Sequence, residues 1–339
     1  MTTERRTAPA DGKRPVKLFH FVSAAMVLAA FLAASVLALV FVLPGPSQQS
    51  VRIILPQGAS LPRISRSLSE QGMIHHPALF RAGVRLLGQS RNLQAGEYEI
   101  PANVSSYRLM QVLVSGRTYL HAVTIPEGLT SRQIIDRLQD NPVLTGSVAE
   151  VPAEGSLLPE TYKVRRGTSR SDLIRLMQNA QKDLLGQLWG SRNVHADVPD
   201  MKAAVILASI VQKETGQADE YGLVASVFLN RLAKNMRLQS DPTIIYGLVG
   251  GAGSLNRPIR RSEIRQKTDY NTYQINGLPP TPISNPGRAA IQAVLTPVTS
   301  PYYYFVADGT GGHAFAETLS EHEANVRVWR QIRAQQNRN

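Results

Sequence analysis

The feature that most constrains this chain is an uncharged apolar run near its N-terminus. Residues 18–43 read LFHFVSAAMVLAAFLAASVLALVFVL and contain no Asp, Glu, Lys or Arg. A helix of this length would extend roughly 39 Å, enough to cross the ~30 Å hydrocarbon core of a bilayer. We therefore predict a single transmembrane helix over residues 18–43. The alternative, a cleavable signal peptide, has a shorter apolar region of about 7–15 residues and an A-x-A-type site after it, which this run lacks.

The charges on the two sides of the run predict its orientation. Five basic residues precede it against two acidic ones, whereas the first charge after it is Arg52. Because positive charge stays on the cytoplasmic side, we expect a cytoplasmic tail over residues 1–17 and the remainder of the chain outside. A Pro-Gly-Pro sequence ends the helix and begins a linker over residues 44–50.

The composition excludes several kinds of chemistry. The 339 residues contain no cysteine, which rules out disulfides, thiolate metal sites, iron–sulfur clusters and a thiol nucleophile. Seven histidines occur without the HExxH spacing of a zinc enzyme, so we predict no metal and no cofactor. The net charge of +12 favours an anionic partner. Because no zinc-finger or RNP motif is present, we expect an acidic polymer or a lipid surface rather than nucleic acid.

An internal repeat organises the part of the chain beyond the apolar run. Residues 54–60 align with residues 124–130 at an offset of 70, and each copy predicts a strand, a Pro-x-Gly turn, a Ser or Thr cap and an amphipathic helix. Such a unit either binds a polymer or is a duplicated structural element. Residues 139–155 are rich in Pro, Gly, Asp and Asn and predict a domain boundary. The parts expected beyond the linker are a membrane-proximal region over 51–150, a mainly helical domain over 151–333 and a tail over 334–339.

One predicted helix carries a carboxyl group on an apolar face. Residues 201–215 follow a capping Asp200 and are apolar on almost every side, so we expect a buried helix. Glu214 lies four residues after Ile210 and eight after Ile206, which places all three on one face. Desolvation there would raise the pKa of the carboxyl, as a general acid requires. The alternative is a solvated glutamate, because the helix ends at this point.

Aromatic and amide side chains follow that helix along the chain. Tyr270, Asn271 and Tyr273 precede a segment, residues 277–287, with four prolines and two glycines. Fixed φ angles predict that this segment is a rigid, extended surface element. Rings that stack on sugars and amides that pair with hydroxyls would suit a sugar polymer, whereas the alternative is a stiff loop with surface tyrosines. Asp241 stands before a proline, which favours an extended or turn backbone there.

Six stretches of the chain form a pattern with a fixed order and spacing. They are EGSLLPETY at 154–162, LASIVQKET at 207–215, ASVFLNRL at 225–232, MRLQSDPTIIYG at 236–247, YNTY at 270–273 and the proline-rich segment at 277–287. In these stretches, and in its anchor, the chain resembles the YceG-like (MltG) family of endolytic murein transglycosylases from about residue 50 to 330.

The resemblance implies a fold and an activity. It implies an α+β protein of the bacterial inner membrane, with a LysM-like membrane-proximal region and a periplasmic or extracytoplasmic catalytic domain. That domain would cleave the MurNAc–GlcNAc β-1,4 bond within nascent peptidoglycan strands, leave 1,6-anhydroMurNAc ends and so terminate glycan elongation. The partners expected from the resemblance are glycan strands, the membrane and glycan-polymerising penicillin-binding proteins.

The resemblance also carries residue roles onto this chain. The catalytic residue would be Glu214, the glutamate of the Lys-Glu-Thr stretch. Two positions depart from the family pattern, because many relatives have Glu at the position of Gln212 and Gly at that of Thr281. If position 212 supplied the acid, this chain would be inactive, but the helix-face argument favours Glu214. The residues expected to line the groove and orient the sugars are Glu154, Asn230, Gln239, Asp241, Tyr246, Tyr270, Asn271 and Tyr273.

Three functions remain open at this point. A lytic transglycosylase needs Glu214 alone, which acts first as an acid and then as a base. A muramidase that hydrolyses the same bond needs a second carboxylate, which Asp241 or Glu154 could supply. A non-enzymatic glycan-binding scaffold would use the repeat and the basic charge, and it predicts that Glu214→Gln leaves glycan turnover unchanged.

Overall fold

The computed structural model describes residues 15–336. Most of the predicted cytoplasmic tail, residues 1–17, and the end of the predicted C-terminal tail, residues 334–339, lie outside the described residues. The chain divides into two compact units, and the division falls between Leu120 and His121.

The first unit contains a long N-terminal helix, a strand–helix–helix–strand arrangement and one further helix. Its elements are α1 (Pro15–Val42), β1 (Val51–Leu55), α2 (Leu61–Glu70), α3 (Pro77–Leu86), β2 (Gly96–Ile100) and α4 (Ser106–Ser115). Strands β1 and β2 pair antiparallel, with Val51 opposite Ile100. Because side chains alternate along a strand, Ile53 and Leu55 of β1 both point into the core that the helices complete.

Helix α1 contains the predicted apolar span and also contributes to the core of the first unit. Its segment Phe19–Val42 is long and apolar enough to cross a membrane, and almost all of the segment is exposed. Phe41, in the last turn, is the exception, since it is only 6% exposed. Its ring lies 6.1 Å from that of Phe80 on α3 and 6.3 Å from that of Tyr107 on α4.

The predicted linker over residues 44–50 is bound to the same core. The Gly45 N–H donates to the Val104 carbonyl at 3.0 Å, and the Asn103 N–H donates to the Ser47 carbonyl at 2.6 Å. A Cβ on Gly45 would lie 2.3 Å from the Val104 oxygen, so no larger residue fits without a shift of the backbone. The Pro-Gly-Pro sequence therefore ends α1 and directs the chain onto the first unit.

The second unit is mainly helical, with two small antiparallel sheets. Its elements are β3 (His121–Thr124), α5 (Ser131–Gln139), β4 (Thr161–Val164), α6 (Arg170–Trp189), α7 (Met201–Glu214), α8 (Tyr221–Ala233), α9 (Asp241–Val249), α10 (Arg261–Arg265), α11 (Arg288–Leu295), β5 (Tyr304–Ala307), β6 (His313–Ala316) and α12 (Leu319–Gln336). Strand β3 pairs with β4, and β5 pairs with β6. The mixture of helix and sheet agrees with the predicted α+β class.

The two copies of the repeat fall in different units. The first copy forms β1 and α2, and the second forms β3 and α5. Thr130 caps α5 through a capping box with Gln133, as the sequence predicts. Because β3 pairs with β4, His121 lies opposite Val164 and the intervening residues belong to the second unit. The boundary predicted at residues 150–151 therefore lies inside that unit.

Helix α7 lies at the centre of the second unit. It packs against α8, α9 and α11, and its residues from Ala204 to Val211 are all buried. Asp200 caps its N-terminus by accepting a hydrogen bond from the Ala203 N–H at 2.8 Å. The prediction of a buried helix is confirmed, and the end of this helix sets the position of Glu214.

Two local predictions about the second unit are wrong. Asp241 begins α9 instead of an extended segment, because a proline is tolerated in the first helical turn, where its missing N–H has no partner to lose. The proline-rich segment is irregular, as predicted, but residues 282–287 are buried rather than on the surface. Ser209 of α7 makes this burial feasible, since its hydroxyl accepts a hydrogen bond from the Ile283 N–H at 3.0 Å.

Candidate active site

Glu214 is the last residue of α7, and its carboxyl group is mostly buried. Burial raises the pKa of Glu214 from the usual 4.5 to about 7, and the nearby charge of Asp241 acts in the same direction. A hydrogen bond from Ser240 and the charges of His313 and Arg231 oppose the shift without cancelling it. The carboxyl therefore holds its proton to about neutral pH and can both donate and accept one there.

Ser240 positions the carboxyl group of Glu214. Its hydroxyl donates a short hydrogen bond to Glu214 Oε1. Ser240 precedes α9 but does not cap it through its side chain, so the hydroxyl can serve Glu214. The Ser240 N–H donates to Thr272 Oγ1 at 2.9 Å, and the Thr243 hydroxyl donates to the Ser240 carbonyl at 2.7 Å. All three residues are buried, so the donor is held in place.

Asp241 and Tyr273, two of the predicted site residues, form a pair beside Glu214. The Tyr273 hydroxyl donates to Asp241 Oδ1 at 2.7 Å. Burial, this hydrogen bond and the nearby carboxylates all raise the pKa of Tyr273, so its hydroxyl remains a donor at neutral pH. Because Asp241 acts electrostatically on Glu214, the two carboxyl groups belong to one site.

Arg231 is a buried cation that supports the same site, and sequence reasoning missed it. Its Nε–H donates to the Tyr303 carbonyl at 2.6 Å and its Nη1–H donates to the Leu238 carbonyl at 2.8 Å. Nη1 also lies 3.4 Å from Oε1 of Gln239. Gln239 adopts a left-handed backbone with a φ of 56°, and its N–H donates to the Thr272 carbonyl at 3.1 Å. Arg231 thus orients the loop that carries Gln239 and Ser240.

A second carboxyl group, that of Glu154, lies in a cluster of donors. Oε1 accepts from the Ser131 N–H at 2.7 Å and from Nδ2 of Asn285 at 3.0 Å, and the Tyr246 hydroxyl donates to Oε2 at 3.2 Å. Burial raises the pKa of Glu154, and the hydrogen bonds from Ser131 and Tyr246 oppose the rise. The ring of Tyr246 lies 5.1 Å from that of Tyr270. The structure thus brings three of the predicted residues together: Glu154, Tyr246 and Tyr270.

A cavity of about 290 Å³ lies between residues of α5, α7 and α9. Tyr246, the partner of Glu154, is part of its wall. Lys213 and Pro242 also line it, and they are the sequence neighbours of Glu214 and Asp241. The remaining wall includes Thr130, Gln133, Ile245, Ser254 and Ile283. The mixed polar and apolar lining suits a ligand with both hydroxyl groups and carbon faces.

Asn230 and Asn271, which the sequence predicts to line the groove, bind backbone carbonyls of nearby loops instead. Nδ2 of Asn271 donates to the carbonyls of three residues between 263 and 266, and the residue is buried. Nδ2 of Asn230 donates to the Ser300 and Tyr302 carbonyls at 2.8 and 2.9 Å. Because their donors already bind backbone, these side chains hold loops in place.

Both ends of the Gln212 amide group make hydrogen bonds to residues other than Glu214. Its Nε2 donates to the Tyr221 hydroxyl at 2.6 Å, and its Oε1 accepts from the Gly287 N–H at 2.9 Å. These contacts join α7 to α8 and to the proline-rich segment. They support the assignment of the acid to Glu214 rather than to position 212. Within residues 15–336, no group of three or more His, Cys, Asp or Glu side chains is placed to hold a metal ion.

A mostly buried carboxyl whose pKa is raised to about 7, and which a serine hydroxyl orients, is typical of an acid–base enzyme. The chain belongs to the YceG-like family, whose family model matches residues 53–328.

Curated relatives of the chain share one name. The endolytic murein transglycosylase of Bacillus subtilis is 30% identical over 81% of this chain and 84% of that protein. The endolytic murein transglycosylase of Streptococcus pneumoniae is 27% identical, and the match covers 83% of this chain but 58% of that longer protein. A solved structure of a yceG-like protein from Listeria monocytogenes is 31% identical and matches with a TM-score of 0.47 over 82% of this chain and 99% of that one.

Proposed function

We propose that this chain is a lytic transglycosylase that cleaves the MurNAc–GlcNAc β-1,4 bond within nascent peptidoglycan strands. The observation that carries the proposal is Glu214, a mostly buried carboxyl with a pKa of about 7. The name shared by its curated relatives supports murein as the substrate. Cleavage within a growing strand would leave a 1,6-anhydroMurNAc end and terminate its elongation.

The proposed reaction uses Glu214 twice. The protonated carboxyl donates its proton to the glycosidic oxygen as the bond from that oxygen to C1 of MurNAc breaks. The resulting carboxylate then takes the proton of the MurNAc 6-hydroxyl, whose oxygen attacks C1 and closes the 1,6-anhydro ring. Glu214 ends in the state in which it began, and no water is consumed. A pKa near 7 suits both steps, because the two roles need opposite protonation states at one pH.

Asp241 and Ser240 would assist at the same centre. Positive charge develops at C1 as the glycosidic bond breaks, and a nearby carboxylate stabilises it. Asp241 acts electrostatically on Glu214 and is oriented by the Tyr273 hydroxyl, which supports this role. Ser240 holds the carboxyl of Glu214 through its hydrogen bond and so fixes the direction of proton transfer.

The cavity beside Tyr246 would bind neighbouring sugars of the strand. Tyr246 and Tyr270 form an aromatic pair of the kind that stacks on sugar faces, and Glu154 would accept hydrogen bonds from sugar hydroxyls. Gln239, whose side chain is held by Arg231, would add an amide contact. The proposed substrate-contacting set is therefore Glu154, Gln239, Asp241, Tyr246, Tyr270 and Tyr273.

A hydrolytic muramidase is the second candidate function, and Asp241 is the observation that favours it. A hydrolase needs a carboxylate that activates water or attacks C1, in addition to the acid. Asp241 is the nearby carboxylate that could take this role. The two functions differ in the product, because hydrolysis leaves a reducing end and transglycosylation leaves an anhydro end one water lighter.

The test is mass spectrometry of the products from uncrosslinked glycan strands. The full chain in detergent micelles is compared with Glu214→Gln and with Glu317→Gln, a matched change at an exposed position. We expect anhydro ends from the native chain and from Glu317→Gln, and no new ends from Glu214→Gln. Reducing ends would favour the muramidase. Equal turnover by folded Glu214→Gln would contradict the role of Glu214.

We further propose that α1 is retained as a single-pass anchor in the inner membrane, with its N-terminus in the cytoplasm. The burial of Phe41 in the first unit and the bound residues after α1 support retention, because cleavage of a signal peptide would remove part of this core. The excess of basic residues before α1 supports the orientation. The strand–helix–helix–strand arrangement supports a LysM-like character for the first unit, and a glycan-polymerising penicillin-binding protein is the partner expected for the enzyme.

A further inference from the structure

The membrane-proximal unit has a fixed position relative to the end of α1. Helix α1 packs against α3 and α4, and Phe41 inserts between them. A Cβ on Gly83 of α3 would lie 2.5 Å from the Phe41 ring, so the two helices make close contact there. The Gly45 N–H bond to Val104 continues the attachment beyond the helix. Because these contacts belong to one core, α3 and α4 stay beside the point where the apolar span ends.

Exposed apolar side chains lie on α3 and α4, the two helices that pack against α1. Leu86 and Leu87, at the end of α3, are 76% and 47% exposed, and Tyr107 at the start of α4 is also exposed. The Tyr107 ring touches Phe41, which lies one residue before the end of the apolar span. Tyrosine is enriched where the hydrocarbon meets the headgroups. Exposed apolar side chains on helices that pack against the end of a membrane span favour lipid over bulk water as their surroundings.

A groove on the same face carries basic groups. Its volume is about 620 Å³, and Leu87, Tyr107, Met110 and Val114 contribute apolar walls. Arg108 and Arg117 also line it, and both are exposed. An apolar groove with guanidinium groups matches an amphiphile with an acyl chain and an anionic headgroup, since arginine binds phosphate through paired donors.

We propose that the first unit docks onto the bilayer through a membrane-docking face formed by Leu86, Leu87, Tyr107, Arg108 and Arg117. Acyl chains of the leaflet at the Val42 end of α1 cover the apolar members, and anionic phospholipid headgroups bind the two arginines. The inference rests on the retained anchor of the proposed function but not on the reaction at Glu214. It assigns to the first unit a lipid partner and a fixed height above the bilayer.

The absence of cysteine makes the face accessible to site-directed labelling. The full chain is placed in nanodiscs of equal parts phosphatidylcholine and phosphatidylglycerol, with a nitroxide at Leu87→Cys, Ile54→Cys or Val27→Cys. Ile54 is 51% exposed in the same unit but outside the face, and Val27 lies within the apolar span. Electron paramagnetic resonance then measures how accessible each label is to oxygen, which concentrates in lipid, and to a water-soluble nickel chelate.

We expect the oxygen-to-nickel accessibility ratio at position 87 to exceed that at position 54 several-fold and to approach that at position 27. Arg108→Glu combined with Arg117→Glu should lower the ratio at position 87 in these nanodiscs, and an unchanged ratio would overturn the role of the headgroups. A lipid-like accessibility ratio at position 27, together with equal ratios at positions 87 and 54, would overturn the docking face but not the anchor. A water-like value at position 27 would overturn the anchor as well. Immobilisation of the label at position 87 by soluble glycan strands, without a bilayer effect, would make the groove a glycan site and contradict the proposal.

Discussion

The surroundings of Glu214 and Glu154 differ in how many hydrogen-bond donors face the carboxyl group. Glu154 accepts from the Ser131 N–H and hydroxyl, from Asn285 and from Tyr246. Among the described residues, Ser240 is the single donor to Glu214, and Asp241 adds a like charge. Burial raises the pKa of both groups, and it raises that of Glu214 to about 7.

This difference gives the two carboxyl groups different roles: Glu154 binds its neighbours in the structure, and Glu214 exchanges its proton. The sequence alone places both residues at one groove. Several neutral donors stabilise a carboxylate and join it to the structure around it, which is the position of Glu154 between α5, α9 and the proline-rich segment. A single donor and a neighbouring carboxylate leave a group free to exchange its proton. Four measurements test the different roles of Glu214 and Glu154.

Glu214→Gln should abolish the acid and base roles with little change in fold. We expect kcat to fall by about 10²–10⁴-fold, the range in which a positioned acid–base group contributes. Glu154→Gln should reduce kcat far less, because its proposed contacts are with sugar hydroxyls. Turnover of uncrosslinked glycan strands measures both, and similar losses in the two variants would remove the distinction between the sites.

Glu154→Ala should reduce stability more than Glu214→Ala does. The substitution leaves Ser131, Asn285 and Tyr246 without an acceptor, so we expect unfolding to become easier by about 1–3 kcal/mol. Urea unfolding of the two variants at pH 6 provides the measurement. A Glu214→Ala variant that is equally destabilised would show that Glu214 also joins structural elements.

Glu214 should make the folded state less stable as the pH rises. The pKa of Glu214 is about 7 in the folded state and 4.5 in the unfolded state. Between pH 4.5 and about pH 7, the folded state therefore binds more protons than the unfolded state does. The free energy of unfolding therefore falls as the pH rises from about 4.5 to about 7. Glu214→Gln lacks this titration and should be more stable than the native chain at pH 8, by on the order of 3 kcal/mol, and equal to it at pH 4. Denaturation curves of the native chain and of Glu214→Gln at pH 4 and pH 8 provide the measurement. A difference in free energy of unfolding that is the same at both pH values would contradict the raised pKa.

Ser240→Ala should move the pH dependence of catalysis to higher pH. The serine hydroxyl lowers the pKa of Glu214, so its removal raises that pKa and keeps the acid protonated at higher pH. The alkaline limb of the kcat/KM profile is the readout, with Ser254→Ala, an exposed serine in the cavity wall, as the matched control. If both variants kept the native limb, Ser240 would have no influence on the acid.

Local patterns in the sequence predict the features that depend on neighbouring residues. The apolar run predicts α1, and the helical spacing of Ile206, Ile210 and Glu214 predicts a carboxyl on a buried face. Each of these follows from residues within a few turns of one another, so no knowledge of the tertiary structure is needed.

The features that sequence reasoning missed depend on residues far apart in the chain. Ser240 meets Glu214 across 26 residues, and Arg231 meets the Tyr303 carbonyl across 72. The burial of the proline-rich segment depends on Ser209, one polar residue in an apolar helix. A signal for Asn271 was present, because an asparagine that starts a turn often binds backbone, but nothing local distinguishes it from a sugar-binding amide.

In the proposed reaction one carboxyl group, Glu214, breaks the glycan bond without water. Cleavage of uncrosslinked strands by the full chain in ¹⁸O-enriched water, followed by mass spectrometry of the new ends, tests it most directly. The proposed reaction gives anhydro ends that are one water lighter than reducing ends and carry no ¹⁸O. New reducing ends with one ¹⁸O for each cleaved bond would contradict it and would make Asp241 the second carboxylate of a hydrolase.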